Sequence, residues 1–390
     1  MENGQNPIFE MTGQRVSASE LLEAVGRGEA VRLQRCTISG DFDINLLLDR
    51  TCNFGASELA SEQPDGSVMV TLPQTMSFDN CRFEQDVVFA ADWSGPDSVK
   101  VVFKRDVSFN SSVFDGQTRF CSSTFCGSAG FDGCRFERIA SFRKANFKSS
   151  ARLRTADFSG YCLFNDAAFH RSALFGNTRF GKGGNFSGTV FVEDADFAGA
   201  HSASKAVPIF DRVRFEKKSR GADETFWRFA KGAAQEAGYY QLAGESFYKE
   251  RCGHLCFKFR GGDYDRLSRG HKFLRILAGF RLFPEFVFGR LLFGYGERPV
   301  RVLVASGLIV FLCGLFYFHL GMVLYHGELV EQSFMDSLYF STITFTTLGF
   351  GDFHPGSDGL TRFVAMAEAT SGVCLLALFV VGLAKRFSRG

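Results

Sequence analysis

The chain has 390 residues, with 44 Lys and Arg against 42 Asp and Glu, a formal net charge of +2, and 47 phenylalanines. So even a balance excludes the broad phosphate attraction on which nucleic-acid binding rests, and the mixed charges on the outward positions of the repeat below exclude an acidic DNA mimic. The 11 cysteines are odd in number and many fall on inward repeat positions, which argues for reduced core thiols rather than a disulfide framework.

Residues 1–7 lack the basic, apolar and small segments of a signal peptide. Residues 17–25 are expected to form a short helix with Ser17 and Glu20 at capping-box spacing. Leu33, Ile38 and Ile44 then begin a step of five and six residues, which Phe78, Phe83 and Phe89 resume. From Phe109 through Phe114, Phe120, Phe125, Phe131 and Phe136 to Phe197 a large apolar residue falls at alternating steps of five and six, so the true period is 11. Phe210 and Phe215 close the run, and the position two before each large residue is nearly always small, as at Ser112, Cys134, Ala145 and Cys162. An 11-residue period also suits a right-handed coiled coil. The intervening Gly, Ser, Asp and Asn favour turns over helix, however. A solenoid accounts for the pattern: each step is one side of a square coil, its large and small residues point inward, and about 22 residues complete a coil whose backbone pairs with the next. Residues 50–73 and 90–100 break the period and are expected to leave the coil as loops.

This pattern resembles the pentapeptide-repeat family, in the variant whose sides alternate five and six residues. The resemblance implies a right-handed quadrilateral β-solenoid over residues 1–220, covered at its start by the short helix.

Residues 222–250 read as helix, and residues 221–301 as a helical connector. Cys252, His254 and Cys256 have half the spacing of a metal site, with no second half in the sequence. Residues 273–283 mix Arg275 and Arg281 with large apolar residues and suit a helix lying on the inner leaflet, a soluble linker helix being the alternative. Residues 302–324 are an uncharged run about 35 Å long as a helix, enough to cross a bilayer, and residues 360–384 form a second. No Lys or Arg lies between Arg301 and Arg362, while the connecting loop carries Glu328, Glu331, Asp336, Asp352 and Asp358. The positive-inside rule then puts both termini in the cytoplasm and the loop outside a cell membrane. Residues 333–345, with Ser333 as N-cap and Asp336 in the first turn, are too short to span and fit a re-entrant helix. Tyr339 and Phe340 on it are candidates for an aromatic cuff. Thr346-Thr347-Leu348-Gly349-Phe350-Gly351-Asp352 follows. It reads as a filter in which backbone carbonyls replace the hydration shell of K⁺, its glycines supplying the left-handed backbone angles that this requires.

Span, short helix, Thr-Thr-Leu-Gly-Phe-Gly-Asp and span together resemble the two-transmembrane potassium channel pore family, over residues 302–390. The resemblance implies a homotetramer in which Thr347, Leu348, Gly349, Phe350 and Gly351 line the ion path. Thr346, Asp352, Tyr339 and Phe340 would support it. It also implies K⁺ as the permeant ion with no cofactor, and the bilayer and further copies of the chain as partners. Gly372 sits where inner helices of this family bend, and Glu368 four residues earlier is similar to inward-rectifier inner helices. Two departures stand out. Phe350 replaces the commoner tyrosine, and Ile343 is apolar where relatives carry a carboxylate, so Asp352 needs another partner.

Glu368 is a charge inside a span and must face protein or a water-filled cavity, as a functional group or as a satisfied carboxylate behind the filter. Gly372 serves equally as hinge or as close-packing residue. No nucleophile–base pair or phosphate loop supports an enzyme. The reading is a potassium channel regulated by a cytoplasmic solenoid, which is also free to hold a ligand or protein of its own. A membrane-anchored scaffold with a degenerate pore and a weakly selective cation channel are the alternatives.

Overall fold

The computed structural model describes residues 7–48, 59–90, 99–203, 208–217, 221–260, 279–320, 323–328 and 333–387. These fall in two compact units, residues 1–266 and 267–390.

The first unit is a repeat-like solenoid. Short strands fall in turn into four sheets, three with eight strands and one with six among the described residues, parallel throughout except for one antiparallel edge strand. In one sheet Val107 pairs with Ala129, Ala129 with Ala151, Ala151 with Ala173 and Ala173 with Ala195, a register of 22 residues per coil. The alternation of five and six has a backbone cause. Ser111, Ser122, Lys144, Thr155, Asp166 and Asn177 all adopt φ between +54° and +58°. Each sits inside a five-residue step, so the tighter corner is closed by one left-handed residue, whereas most six-residue corners have none, Gly40 and Gly183 being exceptions.

Inside, the large residues form four columns. Phe103, Phe125, Phe147, Phe169, Phe191 and Phe215 stack face to face with centroids 4.7–5.1 Å apart. That spacing matches the distance between paired strands, so the backbone ladder and the ring stack reinforce each other. The small inward position does more than fill space. Ser112 Oγ donates to the Phe78 carbonyl at 2.6 Å, and Thr178 and Thr189 hydroxyls donate to Leu153 and Phe164 carbonyls of the preceding coil. Cys134 and Cys162 lie fully buried at these positions. Burial pushes both thiols above the usual range, and pushes Cys81 up to about 11.

Helix α1 (Ala18–Gly26) buries Leu21, Leu22 and Val25 in the same core. Its N-cap is Ser17, but the hydroxyl accepts from the Ser19 N–H rather than forming the expected box with Glu20. The expected loop over residues 50–73 is corrected in part. Val68–Leu72 is a solenoid strand with Leu72 buried, and Ala60–Glu62 pairs with it antiparallel. Leu72 stands six residues before Phe78, so the strand keeps the step of the repeat; residues 50–58 lie outside the described residues.

Helices α2 (Glu224–Glu236) and α3 (Tyr240–Arg260) follow. Phe226 of α2 meets Phe186, Phe197 and Phe210 edge-on, and Phe229 stacks on Phe197, so α2 covers the last ring of each column. Arg228 and Lys231 on α2 both pair with Glu250 on α3, at 3.0 and 2.6 Å. His254 Nδ1 lies 3.2 Å from Glu224, and among the described residues no His, Cys, Asp and Glu gather to hold a metal. Residues 273–278 of the expected interfacial helix lie outside the described residues.

The second unit holds α4 (Val300–His319), α5 (Phe334–Phe345) and α6 (Gly359–Phe387). Residues 300–319 and 359–384 are long and apolar enough to cross a membrane. The first helix stops at His319, short of the expected Leu324, because Val323–Tyr325 pairs antiparallel with Phe353–Pro355.

Candidate ion-conduction site

Helix α5 delivers the Thr-Thr-Leu-Gly-Phe-Gly-Asp segment. Its start is fixed by a reciprocal cap: Ser333 Oγ accepts from the Asp336 N–H, and Asp336 accepts from the Ser333 N–H. Its end runs directly into the segment, where Leu348 N donates to the Ile343 carbonyl at 3.0 Å and Thr347 N to the Thr344 carbonyl at 3.1 Å. Beyond this last turn every second residue is left-handed: φ is +56° at Thr347, +50° at Gly349 and +84° at Gly351. A Cβ added at Gly349 or Gly351 would meet nothing within 4 Å, so both glycines are required by backbone angle and not by crowding. Leu348 and Phe350 expose their side chains within the single chain.

Asp352 takes a partner that the sequence left open. The Tyr339 hydroxyl donates to its Oδ2 at 3.0 Å, and the Tyr339 ring packs on Phe353. The backbone N–H of His326 donates to the Asp352 carbonyl, which ties the end of the segment to the two-stranded ribbon. Phe340, the other cuff candidate, packs at 4.8 Å on Tyr317 of α4 with Val323 and Ile343 around it. Thr346 caps α5, its hydroxyl donating to the Thr342 carbonyl.

Glu368 is buried where α4, α5 and α6 meet. The Tyr317 hydroxyl donates to its Oε2 at 2.8 Å and the Ser341 hydroxyl donates to its Oε1. Three helices therefore share one carboxylate, so it is hydrogen-bonded at both oxygens and does not face hydrocarbon. Tyr317 and Ser341 were missed in the sequence, although an acid within a span demands polar groups on its neighbours, and these are such groups. One turn further along α6, a Cβ at Gly372 would fall on the carbonyl of Phe345. Helices α5 and α6 touch backbone to backbone there, one turn from the Ser341–Glu368 bond on both helices.

A family described as "Ion channel" matches residues 302–389. Residues 302–389 therefore carry the sequence pattern of that family. Over 92 residues the chain is 35% identical to "Two pore potassium channel b" of Oryza sativa subsp. japonica, which is 23% of this chain and 26% of that one. The chain thus covers about a quarter of that relative's length. No solved structure matches the chain. The matched family is one of ion channels and not of enzymes.

Proposed function

We propose that the protein is a potassium channel of a cell membrane, built from four copies of the chain, with both termini in the cytoplasm and the solenoid as a regulatory domain. The observation that carries this reading is the alternation of left-handed backbone at Thr347, Gly349 and Gly351 in a segment between two membrane-length helices. Alternating handedness turns successive carbonyls to one side, and four such strands around an axis give the oxygen cages that strip K⁺ of water. One chain supplies one strand, and its exposed Leu348 and Phe350 leave packing surface for neighbouring copies. The resemblance over 92 residues to a plant protein described as a two pore potassium channel supports K⁺ as the ion. Asp352 and Asp358 at the loop side would concentrate cations there.

The test is tracer rubidium uptake into liposomes holding the full chain, with Ba²⁺ block and Gly349→Ala as control. Gly349→Ala forces a side chain onto a left-handed angle and is expected to abolish uptake. Competition by K⁺ but not Na⁺ supports the selective channel, and equal competition supports the weakly selective one. No uptake in any lipid points to an anchored scaffold. Regulation by the solenoid fails if removing residues 1–220 leaves open probability unchanged.

A further inference from the structure

The chain enters the second unit's first span through a knuckle. Gly294, Tyr295 and Gly296 are left-handed in succession, with φ of +55°, +54° and +87°, between the π-helical turn Glu285–Leu292 and α4. Such a run, one of it at a tyrosine, persists only where the surroundings hold it. The Tyr295 ring lies against Gly289, where a Cβ would come within 3.0 Å of it. Arg301 Nη1 donates to the Arg290 carbonyl at 2.8 Å and ties the turn before the knuckle to the first turn of α4.

What the knuckle presents is a pair of apolar groups, Phe293 and Pro299, and α6 seats Gly382 between them. A Cβ on Gly382 would lie 3.3 Å from the Phe293 ring, 3.4 Å from Pro299 Cβ and 4.0 Å from the Gly296 carbonyl. Phe293 also packs against the cluster of Val302, Phe345 and Leu375. Gly382 is ten residues beyond Gly372, about 15 Å along the helix axis. Helix α6 is therefore gripped twice through glycine, once at the base of the filter and once at its far end, which the charge pattern puts on the cytoplasmic side.

We infer that the Phe293–Pro299 knuckle is a latch that sets the position of the inner helix's cytoplasmic end, and through it the opening of the pore. The inference rests on the conduction reading above. The knuckle is the last stretch of chain before the first span, so force carried along the connector reaches it before it reaches α4. Its contact there is the inner helix, and at Gly382 no side chain intervenes to absorb the movement.

The 3.4 Å between Pro299 Cβ and a Cβ at Gly382 is close to the separation of about 3.5–4.5 Å found across disulfides. The test places Pro299→Cys with Gly382→Cys in the full chain with Cys313→Ser and Cys374→Ser. Rubidium flux in liposomes is read as the part that Gly349→Ala removes, and the cross-linked peptide is counted by mass spectrometry. Oxidation is expected to change this flux by about fivefold or more, a modest shift in a two-state equilibrium, and reductant to restore it. Neither single-cysteine chain should respond. Gly382→Val, which pushes the helix off the knuckle, should shift flux in the opposite direction. Complete cross-linking with unchanged flux overturns the latch, as does a Gly382→Val shift in the same direction. Failure to cross-link removes the contact itself. If the unmodified chain carries no flux that Gly349→Ala abolishes, the conduction reading fails first and the latch falls with it.

Discussion

Single residues where α5 ends against α6 do jobs that sequence alone assigns ambiguously. Gly372 reads in the sequence as hinge or as packing residue, and its position against the Phe345 carbonyl favours packing. Gly372→Ala is expected to displace the end of α5, cost about 1–3 kcal/mol and reduce rubidium flux by tenfold or so, about 1.4 kcal/mol in an equilibrium. Gly307→Ala on α4, where an added Cβ meets nothing within 4 Å, should be neutral or slightly stabilising, by under about 1 kcal/mol. Thermal melting of both variants in detergent, with flux alongside, checks the pair. Equal melting temperatures for the two would defeat the argument. The left-handed angles at Thr347, Gly349 and Gly351 were legible because Thr-x-Gly-x-Gly writes its backbone angles into residue type. The partner of Asp352 was not: Tyr339 lies 13 positions away and its reach depends on where α5 ends. Tyr317 and Ser341 escaped for a related reason, since helix-to-helix distances are not encoded in spacing along one helix.

At the scale of elements, the phenylalanine columns were legible down to the step, because period and inward pairing follow from a backbone that must close a square. The columns are not equal, however. In one, Leu153 already stands between Phe131 and Phe175, whereas Phe136 is stacked at 4.8 Å on both Phe114 and Phe158. Phe136→Ala should therefore cost about 3–5 kcal/mol, while Phe131→Leu should cost less than about 1.5 kcal/mol. Urea unfolding followed by a solenoid signal separates the two, and similar losses would contradict column stacking as a source of stability. Two elements were hidden. The strand Val68–Leu72 keeps the six-residue step from Leu72 to Phe78, but with Leu in place of Phe, so a search by phenylalanine passes over it. The role of α2 was hidden because amphipathic pattern says that a helix buries one face and not what it buries it against. Phe226 and Phe229 find the open end of the solenoid.

At the scale of the whole solenoid, several thiols are buried as core groups. Burial holds the Cys81, Cys134 and Cys162 thiols neutral. A thiol whose pKa is raised by folding contributes stability that is fully present below its ordinary value of 9.0 and is lost as pH climbs through the folded value, about 11 for Cys81. The urea midpoint of the solenoid should fall between those pH values and stay level from neutrality to the lower one. Maleimide should meanwhile miss these three cysteines in the native chain, and labelling at the rate of an exposed thiol would contradict the core assignment. The 22-residue register carries a further implication, about descent. Excising or duplicating one full coil restores every sheet to its own ladder, so chains of this kind can change length in whole turns without relearning their core. A change of 11 residues is also tolerated by the inward pattern, since opposite faces share it, but everything downstream then leaves the stack on the opposite side. Lineages are thus free to drift in reach by the coil, while a half-coil step would reverse the direction in which the chain departs.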